Sequence, residues 1–381
     1  MPTAKGPLAG VTVLDLTEFI FGPYATQTLG DLGADIIKIE NPEGDRQRRV
    51  PKYAKSESMG ATFMALNRNK RSLVLDLKSE DGRDRLRALL PTAQVFIHNI
   101  RADAMARLGF SYEDVARLHP SIVYVHCVGY GSDGPYAGRQ AFDDLVQAAS
   151  GAADLLPRVD GDPTMRLLPS FLADKVSSLH ALYGVLAALF HRERTGEGQF
   201  LEVPMFECFA SFMLVEHLYG ATFEPAVSHL GHTTALANDR RPLKTKDGHI
   251  AIQPANRTTA AKFLELGGIP NPYESDRFRE AQGPKQKVDV YYAMLREAAT
   301  AHTTEAWMTL GQEHRIPIMR ANTLDEVLED PHLKAVGFFE LREHPTEGPW
   351  RATRPPLRFS RTPATIRREP PMPGADNDGF A

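Results

Sequence analysis

The chain has 381 residues, 42% hydrophobic and 24% charged, enough apolar content for a full-sized core and unlike a disordered, collagenous or membrane-spanning composition. Its 44 basic and 48 acidic side chains leave a net charge of −4, and neither sign collects in the long runs of a nucleic-acid-binding arm. The two cysteines, Cys127 and Cys208, are too few for a secreted disulfide scaffold and lie in apolar segments, which reads as buried thiols in a cytoplasmic protein.

The pattern begins with an apolar strand over residues 11–16, a loop through Gly22 and Pro23, helical spacing over 24–33 and a second strand over 35–40. A strand at 72–77 leads to a helix capped by Ser79 and ended by Pro91, then to a strand at 94–98. Short helices near 103–108 and 112–119 precede a strand at 122–128. Strands alternating with helices predict a parallel, doubly wound sheet covered on both faces. The longest apolar stretch, 179–190, is too short for a membrane span, and residues 1–10 contain nothing resembling a signal peptide.

Past residue 200 the pattern changes. A further strand at 199–203 and an apolar helix at 205–219 give way to an aperiodic stretch from 221 to 242. Strands at 243–246 and 249–252 around Asp247-Gly248 predict a hairpin with positive φ angles in its turn. Helices near 258–267, 288–300 and 304–314 complete a smaller α+β domain. From about residue 322 the text is loop-like and proline-rich.

Gly129, Gly131 and Gly134 match the dinucleotide spacing G-x-G-x-x-G, but Pro135 and Gly138 interrupt the helix that should open there. His229 and His232 lack the partners of any familiar zinc set, and no metal site is expected. Asp174 stands at the start of a helix whose apolar residues recur from Val176 to Leu189. It reads either as an ordinary N-cap carboxylate or as a nucleophile held at the mouth of a cleft at the end of the sheet. Basic groups at 67–71, at Lys78, and at Arg101 and Arg107 beside Asn99 are either a solvated face or a holder for the phosphates of a nucleotide-like ligand.

The phrases PLAGVTVLDL at 7–16, FGP at 21–23, LGADIIKIE at 32–40, NKRS at 69–72 with LDLK at 75–78, and GYG at 129–131 with DGP at 133–135 resemble the family III coenzyme A transferases. Asp174, RTGEGQ at 194–199, TKDG at 245–248, Ile316-Pro317, DPH at 330–332, Pro356 with Phe359-Ser360, and Pro371 with Gly374 continue the likeness along the whole chain. The resemblance implies a doubly wound, Rossmann-like large domain (1–202 and 345–381) and a small α+β domain (243–321), joined by linkers at 203–242 and 322–344. It also implies an interlocked homodimer.

In chemistry, the resemblance implies transfer of coenzyme A from an acyl-CoA donor to a small organic acid through an aspartyl anhydride and an aspartyl-CoA thioester at Asp174. The CoA thioester is a substrate, with no tightly bound cofactor. Leu75, Lys78, Asn99, Ala104 and Arg107 are the implied CoA contacts, Lys78 and Arg107 meeting phosphates. Asn41 stands where family members often have an arginine, and Ile20 where formyl-CoA transferase has a glutamine. Racemases of the family pair the aspartate with an upstream histidine, and this chain has Phe142 at that place. An acyl-CoA epimerase and a non-catalytic CoA-binding member are the alternative readings.

Overall fold

The strands β1 (Thr12–Leu16), β2 (Asp35–Glu40), β3 (Lys70–Val74), β4 (Val95–His98), β5 (Val123–Val128) and β6 (Gln199–Pro204) form one sheet in the order β3-β2-β1-β4-β5-β6. Every neighbouring pair is parallel. The structure is a computed structural model describing residues 6–50, 54–254, 256–271, 273 and 275–380, so half of the segment read for a signal peptide lies outside it. Val13, Leu14, Ile36, Val95, Phe96, Val123 and Val125 are fully buried, as expected of strands covered on both faces. No described helix is long and apolar enough to cross a membrane.

The chain divides into two compact units, one of residues 1–152, 167–212 and 335–381, the other of 153–166 and 213–334. Residues 153–166 thus group with the second unit, whereas the sequence reading puts them in the large domain. In the second unit β7 (Leu243–Lys244), β8 (His249–Ile252) and β9 (Ile318–Arg320) form an antiparallel sheet. Its core includes Leu295 and the stacked rings of Phe263 and Trp307, 4.3 Å apart.

Three local expectations change. The 72–77 strand lies earlier, at Lys70–Val74, because Lys70 is sealed inside the sheet by Asp15 at 3.0 Å. The 243–252 hairpin needs no positive φ at Asp247 or Gly248. Instead, the Gly248 N–H donates to Thr245 Oγ1 at 3.0 Å, and Asp247 accepts from the Thr304 N–H at 2.7 Å. The proline-rich end contains an antiparallel hairpin, β10 (Phe339–His344) with β11 (Gly348–Thr353), and then a tail along β3. There Asp376 and Asn377 accept from the Ser72 and Val74 N–H groups, both at 2.9 Å, covering the sheet's edge.

Candidate active site

The strand order reverses between β1 and β4, and in open α/β sheets ligands bind at the carboxyl ends of the strands beside such a switch point. The loops leaving these strands are latched together there. The Glu18 N–H donates to Asn99 Oδ1 at 3.1 Å, and Asn99 Nδ2 donates to the Glu18 carbonyl at 2.9 Å. A cavity of about 1390 Å³ opens at this point, lined by Glu18, Asn99, Phe142 and Asp174 among others. It exceeds the ~300–1,000 Å³ of ordinary small-molecule sites.

The loop after β1 rests on buried charge. Thr17 donates to Asp15 Oδ1 through its N–H at 2.9 Å and its hydroxyl at 2.5 Å, while Lys38 Nζ donates to the Thr17 carbonyl at 2.7 Å and meets Asp45 at 2.9 Å. Lys70 Nζ reaches Asp15, Thr26 Oγ1 and the Pro23 carbonyl. Gly22 is required here, since a Cβ would lie 2.2 Å from that of Thr17. Phe19 takes a positive φ of 69°, a strained conformation for an aromatic residue that persists only where the surroundings impose it. The charged set at 68–71 is therefore paired within the fold, Arg68 and Lys70 buried and Arg71 partly exposed. Arg68 pairs with Asp31 at 2.7 Å, Lys70 with Asp15, and Arg71 with Asp35, so none of the three is left over for a phosphate.

Asp174 lies in the first turn of the Leu172–Thr195 helix, whose N-cap is Phe171 with no side-chain cap. The N-cap reading of Asp174 is thereby corrected. Its backbone N–H donates to Asp143 Oδ2 at 3.1 Å, so a carboxylate distant in sequence takes the capping role. Asp143 is itself buried and receives Gln147 Nε2, and Gln147 in turn accepts from the Leu168 N–H at 2.9 Å and donates to the Ser170 carbonyl at 3.0 Å. The lead-in to Asp174 is thus held on both sides. Ser178 Oγ lies 2.6 Å from the Phe21 carbonyl and ties the helix to the Phe21–Asp31 helix.

Burial first, and the Asp143 carboxylate second, raise the Asp174 carboxyl to about 7, against the lowering influence of the Phe21 backbone N–H. A half-buried carboxylate of this basicity, facing a cavity, is suited to nucleophilic or proton-transfer chemistry. Replacing Asp143→Asn keeps an oxygen for the Asp174 N–H but removes the charge. We expect the ascending limb of kcat/KM against pH to move below 7, a shift that a merely structural role would not produce.

Of the other residues singled out from the sequence, Asn99 lines the cavity with Asp174, its amide spent on Glu18. Leu75 is buried in the sheet core, Lys78 is exposed, and Ala104 and Arg107 sit on the Ala102–Leu108 helix, whose Ala102, Asp103 and Ala106 line the cavity. Arg107 pairs with Asp103 at 2.8 Å. Gly129, Gly131 and Gly134 lie in a loop that opens no helix before Asp143, and the Gly131 N–H goes to Glu207 at 2.9 Å rather than toward a phosphate. No group of three or more His, Cys, Asp or Glu among the described residues is arranged to hold a metal ion.

Sequence reading passed over Asp143 as a capping partner, although an Asp-Asp doublet opening a helix is a visible signal. It also missed the stacked His98 and His126 rings on the cavity wall, 4.4 Å apart, whose nitrogens meet the Ile100 carbonyl at 3.1 and 3.0 Å.

A family model described as CoA-transferase family III matches residues 8–377. The succinate–glutarate CoA-transferase of Agrobacterium fabrum is 29% identical, covering 98% of this chain and 94% of that protein. A probable fatty acyl-CoA transferase of Mycobacterium tuberculosis is 30% identical over 100% of this chain and 99% of that protein. The orthorhombic crystal structure of the mycobacterial protein superimposes with a TM-score of 0.84 at 27% identity, over 100% of both chains. A CAIB/BAIF family protein from Brucella suis gives 0.83 at 27% identity, over 99% of this chain and 98% of that one.

Proposed function

We propose, from the premise that this chain belongs to CoA-transferase family III, that it moves coenzyme A from an acyl-CoA donor to a carboxylic acid with Asp174 as the nucleophile. The observation that carries this is the basic, half-buried Asp174 carboxylate on a cavity at the sheet's switch point. Its oxygen attacks the thioester carbonyl, forming an aspartyl acyl anhydride and expelling CoA thiolate, a tolerable leaving group because thiols ionise near pH 8.5. The thiolate attacks the aspartyl carbonyl and releases the donor acid, leaving aspartyl-CoA. The acceptor carboxylate displaces the thiolate to form a second anhydride, and the thiolate then takes the new acyl group and regenerates Asp174.

One thioester replaces another, so the protein's contribution is positioning, exclusion of water and stabilisation of each oxyanion. The Phe21 N–H, at the uncapped start of its helix, is placed to serve an oxyanion on the Asp174 side chain. CoA would run along Asn99 and Ala104, with Lys78 and Arg107 toward phosphates and Leu75 beneath. The acids exchanged are organic acids of modest size; the relatives named for succinate and glutarate and for fatty acyl groups differ too widely to narrow the choice.

Epimerisation needs a second proton carrier opposite the aspartate. Phe142 cannot be one, and His126 directs Nε2 to the Ile100 carbonyl. Purified protein given acyl-CoA donors and free acids should form new thioesters. Deuterium wash-in at the α-carbon without acyl exchange would instead establish the racemase.

The assembly we infer is a cytoplasmic, interlocked homodimer. Leu179, Tyr183 and Phe190, half to two-thirds exposed on the Leu172–Thr195 helix, are apolar surface for a second copy to cover. Light scattering on the purified protein should give twice the 42.2 kDa chain mass, and a monodisperse monomer would refute the dimer.

A further inference from the structure

The groups touching Asp174 identify the acyl end of the cavity, because their chain neighbours line it. Phe19 and Ile20 precede the Phe21 N–H, Phe142 precedes Asp143, and Phe171 is the N-cap of the Asp174 helix; all four line the cavity. Phe19 and Phe142 meet edge to face with ring centroids 6.1 Å apart, fixed by the strained Phe19 backbone. Phe142 and Phe171 are 53% and 57% exposed, leaving ring surface free for a ligand.

The charges lining this end are acidic, and Arg46 lies outside the lining, over the Phe19 ring at 5.6 Å. Glu18, Asp143 and Asp144 line the cavity with Asp174. Its lining cations are Arg101 and Arg139. Arg101 lies 3.6 Å from Asp103, and Arg139 is seated over the Tyr136 ring at 4.4 Å. A substrate bearing a second carboxylate would bring it among like charges, a cost that serves as rejection.

We propose that the acyl subsite takes monocarboxylic acids with an uncharged apolar body, aryl or branched alkyl, between the Phe19, Phe142 and Phe171 rings, and rejects short dicarboxylic acids. The assignment rests on the CoA-transferase reading and gives that reading its substrate class. Ile20 supplies the aliphatic side of the pocket.

The test measures kcat/KM on the full chain with acetyl-CoA as donor and phenylacetate, isovalerate, succinate or oxalate as acceptor. Phenylacetate or isovalerate should exceed both dicarboxylates by about a hundredfold, and which of the two leads tells an aryl from a branched-alkyl preference. In Phe142→Arg the ratio should move toward succinate by about thirtyfold, and in Phe171→Ala phenylacetate should lose about tenfold with succinate unmoved. Succinate matching the apolar acids on the unsubstituted protein overturns the subsite while the transferase stands. So does an unchanged ratio in both variants when they melt like the parent. No new thioester with any of these acceptors, and none with phenylacetyl-CoA or succinyl-CoA as donor, overturns the transferase reading itself and this proposal with it.

Discussion

Asp174→Asn is expected to abolish CoA transfer and, above neutral pH, to make the protein more stable. The amide cannot form the anhydride, so kcat should fall on the order of 10⁴-fold or more. The stability gain follows from the raised carboxyl. Because Asp174 shifts from 3.8 to about 7 on folding, the folded state holds its proton more tightly than the unfolded chain. Stability is therefore greatest below the unfolded value, declines as pH rises between the two, and is lowest above 7. At 1.36 kcal/mol per pH unit the full penalty is on the order of 4 kcal/mol. Denaturant titrations should show the variant and parent alike near pH 4 and the variant ahead by about 3–4 kcal/mol at pH 8. A variant that is less stable at pH 8, or equally displaced at both pH values, would contradict the assignment of a buried, basic carboxylate.

Lys70→Met should have the largest effect on stability. Lys70 and Asp15 are both fully buried and 3.0 Å apart. Burial alone would push Asp15 up, but Lys70, Lys38 and the hydroxyls of Thr17 and Thr26 outweigh it and hold the carboxyl down to about 2. Methionine fits the space and leaves that carboxylate without its nearest cation, a loss of about 3–5 kcal/mol. The depressed Asp15 stabilises the fold above its unfolded value, and that contribution is lost as pH falls toward 2, so the deficit of the variant should be level from pH 5 to 7; above that it should widen, because burial holds the Lys70 ammonium down to about 8 and the parent gains stability as pH rises from there toward the unfolded lysine value. Asp15→Asn combined with Lys70→Met should recover much of it, because the pair is then removed rather than broken. A double variant as unstable as the single one would mean that the lysine acts through packing alone.

The sheet was legible because its strands are short apolar runs separated by helices with recognisable ends; Ser79 does cap its helix, accepting from the Gly82 N–H at 3.0 Å. What misled was charge inside strands. Lys70 in β3 looks like a surface residue until Asp15, 55 positions away, is brought against it. The β10–β11 hairpin was obscured by the prolines around it and by a strand whose burial runs against its hydropathy, Leu341 exposed and His344 buried.

The site was legible only in part. Asp174 is recognisable from the phrases around it and from its helix, but its raised carboxyl comes from burial first and the Asp143 charge second, against the Phe21 N–H, and no local spacing reports those contacts. Asn99 was expected to meet CoA; what the structure shows is its amide joining the loops on either side of the switch point. Phe142 is informative in both sequence and structure: it stands where a racemase of the family would carry its histidine, and its ring meets Phe19 on the wall of the cavity that Asp174 also lines.

The most direct test of covalent catalysis at Asp174 follows oxygen rather than carbon. During turnover with an acceptor acid labelled in its carboxylate with heavy oxygen, the second anhydride must break so that its bridging oxygen stays on the enzyme. Mass spectrometry of the peptide carrying Asp174 should then show heavy oxygen in that side chain and nowhere else in the chain. Turnover with the peptide unlabelled would mean that the acceptor attacks the donor thioester directly, and Asp174 would not be the nucleophile.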